Sequence, residues 1–138
     1  MAIYVKEMYK EANSGLSKTL WLELHNLAYQ ALVKRGETTD LEQVAAKIVD
    51  TVVNNEGILL MVYKEGKLLA CSFFTYEDTV HWGEVWVELN TANIGSREVT
   101  KEFVKHRNSW IQALGGRYIR TRYKDGGYFT QEITLCHS

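Results

Sequence analysis

With 138 residues, 46% of them hydrophobic and 24% charged, the chain is long enough for one domain around one core and too short for two. Sixteen Lys and Arg stand against 17 Asp and Glu, and this net charge of -1 gives no general attraction to phosphate backbones or anionic lipid, so nucleic acid is not the expected partner. The longest apolar runs, such as Ile58–Val62, are far shorter than the roughly 20 residues of a membrane span. Charged Lys6, Glu7, Lys10 and Glu11 replace the apolar centre of a secretory signal, which points to a cytoplasmic or virion-internal setting.

The two cysteines, Cys71 and Cys136, have neither the spacing of metal ligands nor the density of a disulfide scaffold, and both read as reduced thiols. His25, His81, His106 and His137 are isolated from one another and from the cysteines, so no metal site is expected. No repeat, low-complexity tract or block of like charge divides the chain, which leaves residues 1–138 as one domain.

In chain order, Ala2–Met8 starts with β-favouring residues and turns polar, as an edge strand does. Leu16, Leu20, Leu24, Leu27 and Ala31 recur at helical spacing, with Ser14 or Ser17 as N-cap and Gly36 as a stop. Thr39-Asp40-Leu41-Glu42 matches a capping box, and Leu41, Val44, Ala45, Ile48, Val49 and Val52 form one face of the helix that follows. The run Ile58–Tyr63, the turn Lys64-Glu65-Gly66-Lys67 and the run Leu68–Tyr76 make a hairpin. A third strand, Val80–Leu89, sets Trp82, Glu84, Trp86 and Glu88 on one face and Val85, Val87 and Leu89 on the other. Ser96 caps a helix whose inward residues are Val99, Phe103, Trp110 and Leu114, and Gly115-Gly116 ends it. Arg117–Tyr123 and Tyr128–Leu135 flank Lys124-Asp125-Gly126-Gly127 as a closing hairpin. The expected fold is mixed α+β: a mostly antiparallel sheet of five or six strands with helices on both faces.

This order, with the run Ala113-Leu114-Gly115-Gly116-Arg117-Tyr118 and the later Tyr123-Lys124-Asp125-Gly126-Gly127-Tyr128-Phe129, resembles the GNAT family of N-acetyltransferases over nearly the whole chain. The resemblance implies a shortened GNAT-like fold, acetyl-CoA as cofactor and an amine as acceptor. In size and in its closing hairpin the chain is also similar to short acyltransferase-like proteins encoded by tailed phages, which implies a virion or host-factor-binding role. The family places its pyrophosphate loop between the fourth strand and the next helix, where small residues let backbone N–H groups and a helix N-terminus approach the anion. Here that stretch is Thr91–Arg97, with the single glycine Gly95, no Arg or Gln to open it, and Arg97 where a second small residue is expected. Asn93, Gly95, Ser96 and Arg97 are the candidate cofactor contacts; a plain Gly-Ser helix cap is the competing reading. The chain is shorter than a full member by about a strand and a helix. Helix 96–114 therefore has two equivalents, the cofactor helix or a later one.

Acyl transfer to an amine needs a base and an acid. Glu84 and Glu88 lie on the strand where the family places a base, and Tyr118, Tyr123 and Tyr128 offer a phenolic acid, Tyr118 being the chosen candidate. A polar strand face and an amphipathic cover are the structural alternatives. Trp82, Trp86, Tyr118, Arg120 and Arg122 have the residue types of a binding hot spot and form the expected contact surface, for a substrate, a protein partner or another copy of the chain. Two classes stand: an N-acyltransferase, and a non-catalytic protein-binding relative on the same fold.

Overall fold

The computed structural model describes residues 2–12, 14–80, 83–113, 117–123 and 129–135, with 117–123, 129–135, Thr79 and Asn90 described by their backbone. Its elements are β1 (Ile3–Lys10), α1 (Lys18–Lys34), α2 (Leu41–Asn54), β2 (Gly57–Lys64), β3 (Lys67–Thr79), β4 (Gly83–Asn93), α3 (Arg97–Ala113), β5 (Arg117–Tyr123) and β6 (Phe129–Leu135). The six strands form one sheet in the order β1-β2-β3-β4-β5-β6. Strands β1 to β4 are an antiparallel meander, β5 joins β4 in parallel after the α3 crossover, and β6 returns antiparallel to β5. The expected mixed sheet and its meander are therefore present.

Alternation along the strands sends side chains to two cores. Leu59, Met61, Cys71 and Phe73 meet Leu24, Leu27, Val49 and Val52 of α1 and α2 on one face. Leu60, Val62, Ala70 and Phe74 meet Val99, Phe103 and Ile111 of α3 on the other. Both faces of the sheet are thus covered by helices, as the patterning required. Lys10 is buried where β1 ends: its Nζ donates to the carbonyls of Val53 at 2.5 Å, Glu11 at 3.0 Å and Asn55 at 3.3 Å. Three acceptors match the three protons of an ammonium, and the cation sits at the electronegative end of α2.

Several boundaries differ from the sequence reading. The N-cap of α1 agrees: of the two expected residues it is Ser17, accepting from the Leu20 N–H at 3.1 Å. For α2 the cap is Asp40 rather than Thr39, accepting from the Gln43 N–H at 3.3 Å; a carboxylate one residue later displaces the predicted capping box. Strand β3 runs on to Thr79, and β4 begins at Gly83, so Val80 belongs to the turn and is 97% exposed. Gly83 has φ +68°, the left-handed conformation that closes such a hairpin, and a residue with a side chain would be strained there. At its other end β4 continues to Asn93, which shortens the expected loop to Ile94-Gly95-Ser96. Trp82, Leu114, Gly115, Gly116, Tyr128, Cys136 and the turn 124–127 lie outside the described residues.

Candidate functional site

Two irregularities in β4 create the site. The register against β3 shifts between Phe73, opposite Asn90, and Phe74, opposite Glu88, so Leu89 is an extra residue in a β-bulge. On its other side β4 pairs with β5, among the described residues, at Trp86 with Tyr118 and Val87 with Ile119. Both parallel strands continue, β4 to Asn93 and β5 to Tyr123, without further pairing. The sheet therefore opens like a wedge at the C-terminal ends of the two strands, and the stretch Glu88–Asn93 has a ladder partner on the β3 side alone. α3 starts at the same end, which directs the positive pole of its dipole toward the opening.

Glu88 stands where the opening begins. It lies opposite Phe74 on the α3 face and is 6% exposed. Its Oε1 accepts a hydrogen bond of 2.6 Å from Thr91 Oγ1. Thr91 Oγ1 is also 2.9 Å from Ser72 Oγ; since Thr91 has one proton and gives it to Glu88, Ser72 is the donor in that pair. A short hydroxyl chain thus ends on one carboxylate oxygen. The other, Oε2, is closed to solvent without a hydrogen bond, 3.7 Å from Arg107 Nη1. Arg107 is itself buried on α3, its guanidinium 5.5 Å from the centroid of the Phe103 ring. The pair is loose, because 3.7 Å is beyond hydrogen-bond range.

A cavity of about 260 Å³ adjoins this pair. Leu27 and Val49 of the two N-terminal helices, Phe73 and Leu89 form apolar wall, while Glu88, Thr91 and Arg107 supply a polar end. Residues from both faces of the sheet line one space, as the missing β4–β5 pairing past Val87 permits. Cys71 lies in the same wall; burial pushes its thiol up to about 12, so it is protonated at neutral pH and no nucleophile.

The remaining candidates separate. Glu84 is exposed at the start of β4 and accepts a 3.4 Å hydrogen bond from the Tyr76 hydroxyl. Trp86 is half-buried in an aromatic chain, 5.1 Å between ring centroids from Tyr76 and 5.2 Å from Trp110, which is in turn 5.1 Å from Phe74. Tyr118, Arg120 and Arg122 sit on β5 opposite Thr134, Glu132 and Thr130 of β6, with Tyr118 also opposite Trp86 of β4. The backbone thus brings Tyr118 beside the strand of Glu88, while Arg120 and Arg122 follow the last pair with β4; Glu84 is not brought to the opening.

At the loop, Ser96 caps α3, its Oγ 3.4 Å from the Val99 N–H. Asn93 folds back: its Oδ1 accepts the Gly95 N–H at 2.9 Å and its Nδ2 donates to Thr100 Oγ1 at 2.9 Å. A Cβ on Gly95 would come within 2.4 Å of Val99 Cγ1, so the tight turn into the helix requires glycine. Helix α3 directly follows the fourth strand and precedes the closing pair β5 and β6.

Arg107 and the hydroxyl chain were not among the sequence candidates. A signal for Arg107 exists: Val99, Phe103, Arg107 and Ile111 recur every four residues, so a guanidinium occupies one step of the buried stripe.

Among the described residues no group of three or more His, Cys, Asp or Glu is placed to hold a metal ion, and no helix is long and apolar enough to cross a membrane. No protein-family model matches the sequence, and no curated protein matches it. Solved structures do. A GNAT family acetyltransferase from Staphylococcus aureus aligns with TM-score 0.60 at 13% identity, covering 100% of this chain and 99% of that one. An aminoglycoside 6'-acetyltransferase type Ii aligns with TM-score 0.59 at 14% identity over 86% of this chain and 70% of that one. An acyl-CoA N-acyltransferase from Pseudomonas aeruginosa gives 0.59 at 14% over 86% and 80%. At such identities the likeness concerns the backbone path, and on that ground the chain has the GNAT acetyltransferase fold.

Proposed function

We propose that the protein is a small acyl-CoA-dependent N-acyltransferase, with acetyl-CoA as the acyl donor and Glu88 as the base. The observation that carries this reading is the buried Glu88 carboxylate at the point where β4 and β5 part. The open edge of β4 from Glu88 to Asn93 offers backbone groups to an extended chain with its own amides, as the pantetheine arm of acetyl-CoA has. Helix α3 brings its N-terminus to the same end, with Arg97 as a cation for the pyrophosphate. In the reaction the amine nitrogen attacks the thioester carbonyl, Glu88 takes the amine proton, and the C–S bond breaks as the thiolate receives a proton. Tyr118, on the strand beside Trp86, is the residue we assign to that last transfer.

A second reading has one observation in its favour. The Gly95 N–H, which a pyrophosphate would use, is occupied by Asn93 Oδ1. On that reading the fold is non-catalytic and works by binding a protein, such as a host factor or a component of a phage virion, through Trp82, Trp86, Tyr118, Arg120 and Arg122. Titration calorimetry and thermal melting with acetyl-CoA separate the two. The enzyme reading expects saturable heat and, at 100 times the dissociation constant, about 2.7 kcal/mol of stabilisation. An unchanged melting temperature and no heat at millimolar acetyl-CoA would leave the binding protein standing.

A further inference from the structure

We propose that the tip of the β3–β4 hairpin is a docking surface for an arginine-bearing segment of a partner protein, one guanidinium stacking on Tyr76 and bonding to Glu84 and Asp78. This surface belongs to the half of β4 before the opening, and the proposal does not depend on acyl transfer. Aromatic packing marks the place. Alternation from Phe74 puts Tyr76 and Asp78 of β3 on the α3 face, opposite Trp86 and Glu84 of β4. Trp86 packs against Trp110 of α3 and, with its plane at 58°, against Tyr76, which is thereby fixed while 53% of its surface stays exposed. Charge marks the same place. Residues 68–96 include four carboxylates, Glu77, Asp78, Glu84 and Glu88, and no Lys or Arg. Glu88 is buried beside Arg107, but the other three are exposed, and among the described residues none of them has an ion-pair partner. Asp78 and Glu84 are direct cross-strand neighbours, a pairing of like charges that costs stability until a cation joins it.

The geometry selects the kind of cation. The Tyr76 hydroxyl donates to Glu84 Oε2 at 3.4 Å, which sets that carboxylate at the rim of the ring and leaves Oε1 for another donor. Desolvation, then the Glu84 and Asp78 carboxylates, push the Tyr76 phenol above its ordinary value, so both negative charges act at the ring. A guanidinium can lie flat on an aromatic face and fork two N–H groups to a carboxylate. An ammonium is a strongly hydrated point charge, and a trimethylammonium has no donor to give. Three exposed carboxylates exceed what one guanidinium can meet, and Val80, 97% exposed in the turn, extends the surface beyond them. A segment with more than one cation therefore fits better than a free amino acid.

The test is an NMR titration of the isotope-labelled full chain with the blocked peptide Gly-Arg-Gly-Arg-Gly, its Lys and trimethyl-lysine counterparts, and singly blocked arginine amide. Backbone shifts should centre on residues 76–80 and 83–86. The Arg peptide should bind about threefold more tightly than the Lys peptide, the trimethyl-lysine peptide more weakly than either, and the single arginine about tenfold more weakly than the Arg peptide. Asp78→Asn and Glu84→Gln should each weaken the Arg peptide about threefold without lowering the melting temperature, because each removes one of two opposed charges. Tyr76→Leu should erase the preference for Arg over Lys. If that variant fails to fold, the two carboxylate variants and the peptide series on the unaltered chain still decide. Shifts centred away from the hairpin, Lys or trimethyl-lysine peptides that match the Arg peptide, or carboxylate variants that bind normally would each overturn the assignment. A single arginine that binds as well as the peptide would overturn it in favour of a small ligand, and a carboxylate variant with a lower melting temperature would make that acid structural and overturn it too.

Discussion

The two halves of β4 differ although they belong to one strand. From Gly83 to Val87 it has β3 on one side and meets β5 on the other, and its Trp86 is packed in a chain of aromatic rings. From Glu88 to Asn93 it keeps β3 alone, carries the bulge at Leu89, and turns a carboxylate and hydroxyls toward the opening. The first half holds the sheet together and the second leaves backbone and charge to be used. An exposed acid in the closed half, Glu84, and a buried one in the open half, Glu88, stand four residues apart and have different chemistry for that reason.

The largest expected effect comes from breaking the charge pair of the open half. Arg107→Ala leaves the Glu88 carboxylate buried without its partner, and removal of one member of such a pair costs about 3–5 kcal/mol. For a chain of this length that is a fall in melting temperature of roughly 10 °C or more. The double variant Arg107→Leu with Glu88→Leu should recover much of the loss, because two apolar side chains need no partner. Glu84→Ala, in the closed half, should change stability by about 0.5 kcal/mol or less. Chemical denaturation of all three variants checks the comparison; an Arg107→Ala no weaker than Glu84→Ala would mean that the pair is screened and the halves are energetically alike.

Much of this architecture is legible in the sequence because local chemistry forces it. Glu65 and Gly66 have φ values of 54° and 75°, as the turn between two apolar runs demanded, and the stripes of α1 and α2 point where their spacing directs them. The site is legible in part. Glu88 stands out as an acid on an aromatic strand face, but nothing in the alternation separates it from Glu84, since that depends on where β5 leaves β4. The bulge at Leu89 is a tertiary event, with no residue type that announces it. Val80 misleads because a β-branched residue in an alternating run reads as strand; Gly83, three residues on, sets the actual boundary. Arg107 is hidden for a different reason. A charged residue normally marks the outer face of a helix, and a carboxylate 19 positions earlier in sequence, on β4, helps to reverse that rule.

A smaller effect is expected at the far end of the open half. Asn93 gives both of its amide groups to the loop and helix start, binding the Gly95 N–H and Thr100 Oγ1. Asn93→Ala should therefore cost about 1 kcal/mol of stability, the usual net worth of such local hydrogen bonds. It also releases an N–H at the helix N-terminus. If acetyl-CoA places its pyrophosphate there, the variant should bind it several-fold more tightly in spite of the lower melting temperature. Calorimetry beside thermal melting reads both changes; weaker cofactor binding would show Asn93 to be a contact for the ligand instead of a competitor.

The smallest change in stability is expected on the other wall of the wedge. Arg120 and Arg122 follow Ile119, the last residue of β5 that pairs with β4, so they belong to the stretch that has left the sheet's closed half. The backbone of that stretch is still held by β6, with Arg120 opposite Glu132 and Arg122 opposite Thr130, and those ladder bonds do not depend on side-chain identity. Replacing both arginines by Ala should accordingly shift stability by about 0.5 kcal/mol, a degree or two in melting temperature. Binding should respond far more. A guanidinium offers paired donors to a phosphate, a carboxylate or an acidic protein surface, and replacing it by Ala removes that capacity while the backbone ladder stays. Acetyl-CoA affinity and partner affinity, measured on the same double variant, then show which ligand uses this wall. A double variant that unfolds would instead make the arginines part of the sheet's support, and the functional half of the wedge would be reduced to β4 alone.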